Sequence, residues 1–261
     1  MNTRSDAQAI EIFHLLFVQA LTANASNWFV LKGGANLRYF FRSDRYSNDI
    51  DFDFFTKPDW SVGETVDKVL SGRALAALLR RQDLQIAEVT NHKQTPTTRK
   101  WKVALSRNEA NENMVRTKIE FSGRNEPDAD RTFEVIPEEV LNNYGVSSIS
   151  LSHYGQTAAL EQKIAALALR SETKARDVFD LELLLRLHRV AGSPPLDNTH
   201  ALSGAARAQE VTYQNFCSEV LPFLDDDVAA LYQNEATWNS MRVSVSSALI
   251  EIGNLPEEVS P

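Results

Sequence analysis

Two glycines and a run of spaced acids are the residues in this chain best suited to chemistry. Gly33-Gly34 closes a short apolar run, Trp28–Leu31, and Asp49, Asp51 and Asp53 follow soon after. A double glycine lets the backbone turn tightly and come close to something bulky. A helix opening after such a turn aims free N–H groups at the same spot, which suits a phosphate. From Asp49 to Phe55 acids alternate with apolar residues. Period two is a strand, with the three acids on one face and Ile50, Phe52 and Phe54 on the other. Carboxylates so close repel one another unless a cation sits between them. Magnesium prefers carboxylates together with substrate phosphates and water. Either feature alone is common in ordinary turns and strands. The order, a phosphate-cradling turn and then paired acids, predicts a metal-assisted reaction at phosphorus, with Asp49 and Asp51 as ligands.

The elements that must position these residues are legible in outline. Helical spacing of Ile10, Phe13, Leu16, Phe17 and Leu21 predicts a helix over 6–23, with Ser5 and Gln8 as a capping box. A buried strand at Trp28–Leu31 enters the glycine turn, and a short helix over Asn36–Phe41 leaves it. Residues 63–81 read as one helix, and 84–90, 99–106 and 114–122 as strands. Between 130 and 153 only a helical turn at Glu138–Asn142 stands out, among short extended pieces. From 156 onward the pattern is helical: 157–169, 174–190, a loop at Ala191–Asp197, then helices near 200–222, 226–232 and 235–252, and a Pro256–Pro261 tail. The chain therefore reads as a mixed α/β unit over 1–155 followed by an all-helical unit over 156–261.

Composition narrows the classes. The chain has 261 residues, is 43% hydrophobic, and carries a net charge of −8. These are the proportions of a globular protein rather than a disordered one. No uncharged apolar run approaches the ~18 residues of a membrane span, and the N-terminus lacks an apolar signal core. One cysteine, Cys217, excludes an internal disulfide framework and fits a cytoplasmic protein. The five histidines show no ligand spacing. The charge is uneven, −1 over residues 1–155 and −7 over 156–261. Residues 93–118 hold Lys93, Arg99, Lys100, Lys102, Arg107, Arg116 and Lys118 against Glu109 and Glu112. Such a stretch is either a solvated face or a surface for phosphates.

The segments Leu31-Lys-Gly-Gly-Ala-Asn-Leu-Arg38 and Arg45-Tyr-Ser-Asn-Asp-Ile-Asp-Phe-Asp53 resemble those of the AbiEii/AbiGii-type nucleotidyltransferase toxins of abortive-infection systems. That family lies within the polymerase-β-like nucleotidyltransferase superfamily. The resemblance extends to Arg116–Ser122, similar to the strand offering a third carboxylate, here Glu120. It reaches Leu160–Leu167, Arg170 and Lys174–Leu181, similar to a helical motif with a Lys and an Arg-Asp…Asp. It runs in order from about 28 to 187. Two positions depart: Ala35 stands where the family often has Thr, and Asn48 where an acid is common.

The resemblance implies a polymerase-β-like core with a small mixed sheet, and helices that contribute to its active-site cleft. It implies two magnesium ions on Asp49, Asp51 and Glu120, and an NTP as substrate. Lys163 is expected on the nucleotide phosphates and Asp177 in the active site. Lys32, Gly33, Gly34, Arg45, Ser47 and Arg176 are expected near the triphosphate. For Glu120 a cross-strand ion pair is the plainer alternative, and for Asp177, Asp180 and Arg176 an intrahelical one. The implied biology is a toxin paired with an antitoxin, transferring a nucleoside monophosphate to RNA, with the 3′ end of tRNA as acceptor. Two other readings stand beside it: transfer to a protein hydroxyl or small molecule, and nucleotide binding without turnover.

Overall fold

The computed structural model describes residues 5–23, 28–107, 114–123, 130–191 and 198–254, with 189–191 by backbone alone. Glu109, Glu112, most of the Ala191–Asp197 loop and the Pro256–Pro261 tail lie outside the described residues. In chain order the elements are α1 (Asp6–Thr22), β1 (Phe29–Lys32), α2 (Gly33–Phe40), β2 (Asp49–Phe54), α3 (Asp59–Leu70), α4 (Arg73–Arg80), β3 (Gln85–Thr95), β4 (Thr98–Ser106), β5 (Val115–Gly123), β6 (Arg131–Val135), α5 (Glu138–Asn142), β7 (Ser150–Tyr154), α6 (Gln156–Leu169), α7 (Ala175–Ala191), α8 (Ala201–Glu210), α9 (Tyr213–Glu219), α10 (Asp226–Leu231) and α11 (Glu235–Gly253). Contacts divide them into two compact units, residues 1–42 with 46–154, and residues 43–45 with 155–261.

The first unit is built on one mixed sheet of seven strands in the order β3-β4-β5-β2-β1-β7-β6. β2 runs parallel to β5 and β1 to β7; β1 and β2 are antiparallel. Alternation along each strand sorts the side chains. Ile50, Phe52, Ile119, Phe121 and Trp101 are buried on one face, where the Phe52 and Phe121 rings stack 4.7 Å apart. α1, α3 and α4 cover this face. α1 begins at the expected capping box: Ser5 Oγ accepts from the Gln8 amide and Gln8 Oε1 from the Ser5 amide.

Several elements differ from the sequence reading: the strand expected over 84–90 runs on to Thr95, and the helix expected near 200–222 is two, α8 and α9, parted at Val211-Thr212. The helix after the glycine turn starts at Gly33 itself, where φ is +70°. The single helix expected over 63–81 is two helices. It starts earlier, after Pro58, and breaks at Ser71-Gly72, where a Cβ on Gly72 would sit 3.0 Å from the Lys68 carbonyl oxygen. The indistinct stretch 130–153 holds the antiparallel pair β6–β7 as well as α5.

In the second unit α6 packs on α7 and α8, and α11 on α7 and α8. Trp238 and Phe216 stack at 4.6 Å in its core. Among the described residues no helix is long and apolar enough to cross a membrane.

Candidate active site

The polar face of the sheet collects the predicted acids. Register places Lys32, Asp51, Glu120 and Lys100 opposite one another across β1, β2, β5 and β4. One pleat away run Asp49, Lys118, Lys102 and Thr90 across β2, β5, β4 and β3. Glu120 is 2.6 Å from Lys100 Nζ and Asp49 is 3.3 Å from Lys118 Nζ. The turn fits closely over this row. A Cβ on Gly33 would lie 2.9 Å from Asp51 Oδ2, so only glycine allows this approach at this φ. Asn48 Nδ2 donates to Asp49 Oδ1 and Ser47 Oγ to the Asp49 carbonyl, which steadies the start of β2. Beside Asp49 a pocket of about 290 Å³ opens between Asn48, Thr90, Lys102, Arg116 and Lys118.

Asp53 shares this face of β2 but is a support. It is buried, 2.5 Å from Lys32 Nζ, and accepts from the Tyr154 hydroxyl at 2.8 Å. Lys32 thereby holds β1 to β2 instead of standing free. Gly34 is buried in the first turn of α2.

Behind the acids lies a buried chain of hydrogen bonds. Thr117 Oγ1 donates its one proton to the Asn48 carbonyl at 2.7 Å, so at His14 Nε2, also 2.7 Å away, it accepts. His14 therefore carries a proton on Nε2, and burial keeps the ring neutral. Burial drives its pKa down to about 3. The chain links α1 through β5 to the residue preceding Asp49. A second buried group ties α1 to α2 and the segment after α5. Glu11, 2% exposed, accepts from Arg38 Nε at 2.8 Å and from the Tyr144 hydroxyl at 2.5 Å. Burial alone would lower the Arg38 pKa, but the Glu11 carboxylate raises it. Asn36 Nδ2 donates to the Tyr154 carbonyl at 2.8 Å, and His153 stacks on Phe40 with ring centres 3.6 Å apart. The only sequence signal for these groups is a polar residue at a position the helical period assigns to the core, as with Glu11 and His14 in α1.

The second unit gathers its own charged cluster. Arg45 grips Asp180 with two bonds, Nε to Oδ1 at 3.0 Å and Nη2 to Oδ2 at 2.8 Å. Lys163 lies 2.7 Å from Asp180 and 3.1 Å from Asp177. Asp177 and Asp180 are wholly buried. Burial would raise the Asp180 pKa, but Arg45 and Lys163 override it and lower it to about 2. Asp177 Oδ2 accepts no hydrogen bond among the described residues, although Arg170 Nε stands 3.3 Å away. Arg176 is half-buried and forms no ion pair there with Asp180, whose oxygens are taken.

A family model for the nucleotidyl transferase AbiEii toxin of type IV toxin–antitoxin systems matches residues 14–249. The chain belongs to this family. AbiEii members are nucleotidyltransferases that generally use an NTP and divalent metals, and the toxin–antitoxin setting implies a cognate antitoxin. The fold agrees. JHP933 from Helicobacter pylori is 18% identical, with a TM-score of 0.58 over 97% of this chain and 94% of its own. The nucleotidyltransferase toxin MenT4 from Mycobacterium tuberculosis H37Rv is 19% identical, with a TM-score of 0.52 over 97% of this chain and 86% of its own. A search of curated proteins finds no match.

The AbiEii acids suit a hard divalent cation in type, being carboxylates, and in placement, since Asp51 and Glu120 are direct neighbours on parallel strands. Their side chains do not converge on one point: among the described residues no three acids, histidines or cysteines form a metal-holding group. The lysines explain this. Lys118 and Lys100 occupy Asp49 and Glu120, and their side chains are 47% and 29% exposed. Such pairs contribute about 0–1 kcal/mol, so a divalent cation can replace them.

Proposed function

We propose that this AbiEii-family chain transfers a nucleoside monophosphate from an NTP to RNA under magnesium, with the 3′ end of tRNA as acceptor, and acts as the toxin of its pair. The observation that carries this is the row of Asp49, Asp51 and Glu120 beside a pocket walled by Lys102, Arg116 and Lys118. In the reaction an acceptor hydroxyl forms a P–O bond at the α-phosphorus and pyrophosphate leaves. Asp49, Asp51 and Glu120 would hold the metal, which when bound supplies charge neutralisation and activates the hydroxyl. Gly33 and Gly34 bring the first amides of α2 to the phosphates. Ser47 and Asn48 keep Asp49 in place. Lys102, Arg116 and Lys118 offer positive charge to the acceptor backbone, the main source of sequence-independent RNA affinity. From the helical unit we assign Asp177 to the reaction, supported by its undonated buried oxygen, and Lys163 to hold Asp177. Arg45 belongs to the same support, gripping Asp180. Arg176, which pairs with no acid among the described residues, is assigned to phosphate.

The test is incubation of purified protein with magnesium, each labelled NTP in turn, and total RNA or protein extract. Label on tRNA with one NTP, lost in Asp51→Ala, is the expected outcome. Label on protein alone would replace RNA by a protein hydroxyl. Undiminished toxicity of Asp49→Ala in cells would leave only nucleotide binding.

A further inference from the structure

The helices on the apolar side of the sheet enclose a second pocket, of about 510 Å³, within the size of small-molecule sites. Its wall is Leu21 from α1, Val69 from α3 and Leu75 from α4, together with Trp28. Three cations line it, Lys57, Lys68 and Arg73, and among the described residues no carboxylate does. None of the three forms an ion pair among the described residues. On the polar face, by contrast, Lys118 and Arg116 each face an acid. Uncompensated positive charge collected at one concavity is unusual in a chain of net charge −8.

Lys57 is the most constrained of the three. Its Nζ donates to Thr65 Oγ1 at 2.7 Å and lies 4.4 Å from the centre of the Trp28 ring. The Thr65 hydroxyl donates to the Ser61 carbonyl, so toward Lys57 it only accepts. Burial lowers the Lys57 pKa, with no carboxylate to restore it. A partly desolvated cation lacking a counter-charge is stabilised when an anion arrives. Gly72 has no side chain to cap α4, and the first turn of that helix, Arg73 to Leu75, lines the pocket.

We propose that this pocket binds a small molecule carrying a di- or triphosphate, with Lys57, Lys68 and Arg73 on the phosphates. Three positive charges match two or three linked phosphates, and Leu21, Val69 and Leu75 offer an apolar wall to the rest of the ligand. The sheet separates this pocket from Asp49, Asp51 and Glu120, which alternate to the opposite face. It is therefore an effector site that can be filled while the polar face is occupied.

Isothermal titration of Asp51→Asn protein without magnesium, using inorganic triphosphate and each NTP as probes, tests this with the polar face disabled. Saturable binding is expected, with a change in Trp28 fluorescence. Lys68→Gln/Arg73→Gln, at two exposed positions, weakens it at least about tenfold with unchanged melting temperature, and Lys57→Met removes the fluorescence change. Tighter binding of an NTP than of triphosphate means the apolar wall reads the nucleoside; equal binding means the phosphates alone are read. Absence of saturable binding for every probe, or affinity unchanged in Lys68→Gln/Arg73→Gln, overturns the proposal.

Discussion

Two charged clusters, one in each unit, are held in opposite ways. On the polar sheet face Asp49 and Glu120 meet lysines that water reaches, across single contacts. In the helical unit Asp180 is fully buried between Arg45 and Lys163, and the guanidinium holds it by two bonds. A solvent-exposed pair contributes little and exchanges readily. A buried one cannot lose a partner without leaving an isolated charge in low dielectric. The groups we propose for a metal and a phosphate are held weakly, and the groups that join α6, α7 and the segment before β2 are held firmly.

The sharpest test of this contrast is Asp51→Asn. Transfer should fall by roughly 10³-fold or more, with a smaller shift of the urea midpoint than Asp180→Ala gives. Asp180→Ala should do the reverse first: unfolding stability drops by about 3–5 kcal/mol, read by urea denaturation, with activity following the folded fraction. A loss under ~1 kcal/mol there would erase the distinction between the two clusters.

Acid should act through the buried groups. His14 is neutral when folded, with a pKa near 3 against 6.5 unfolded. Its contribution is complete above 6.5 and is lost as pH falls from there toward 3, where the unfolded chain binds the extra proton. Asp180, lowered from 3.8 to about 2, adds a further loss only between those values. His14→Gln should flatten the first limb, by a few kcal/mol at most, in melting curves recorded against pH. A slope unchanged by His14→Gln would mean that the Thr117 link does not hold a neutral ring.

Smaller effects separate the turn from the lysines. Gly33→Ala combines a φ of +70° with a 2.9 Å approach to Asp51 Oδ2. It should cost about 1–2 kcal/mol and reduce transfer. Lys100→Ala should change stability by less than about 1 kcal/mol, measured by the same urea titration.

The front of the molecule was open to reading from local pattern because strands alternate. Asp49 and Asp51, and then Arg116, Lys118 and Glu120, declare one face through period two alone. Ser5 and Gln8 declare a helix start within four residues. What local pattern cannot carry is partner choice over distance. Asp177 and Asp180 lie on one helical face, and Arg176 is four residues from Asp180, yet Asp180 turns inward to Arg45, 135 residues away. His14 likewise finds Thr117 at a separation of 103. The break between α3 and α4 was hidden because Leu70, Leu75 and Leu79 keep an apolar rhythm across Gly72. The close approach there to the Lys68 and Val69 carbonyls is a backbone fact that the rhythm does not record.

The Arg45–Asp180 grip also sets a timetable. Arg45 leaves the ribosome 135 residues ahead of its carboxylate. At ordinary elongation rates that is roughly 7–27 s, during which strand β2 and its acids have been made but the loop leading into them lacks its grip on α7. This tether of the loop before β2 is set only when α7 has been translated.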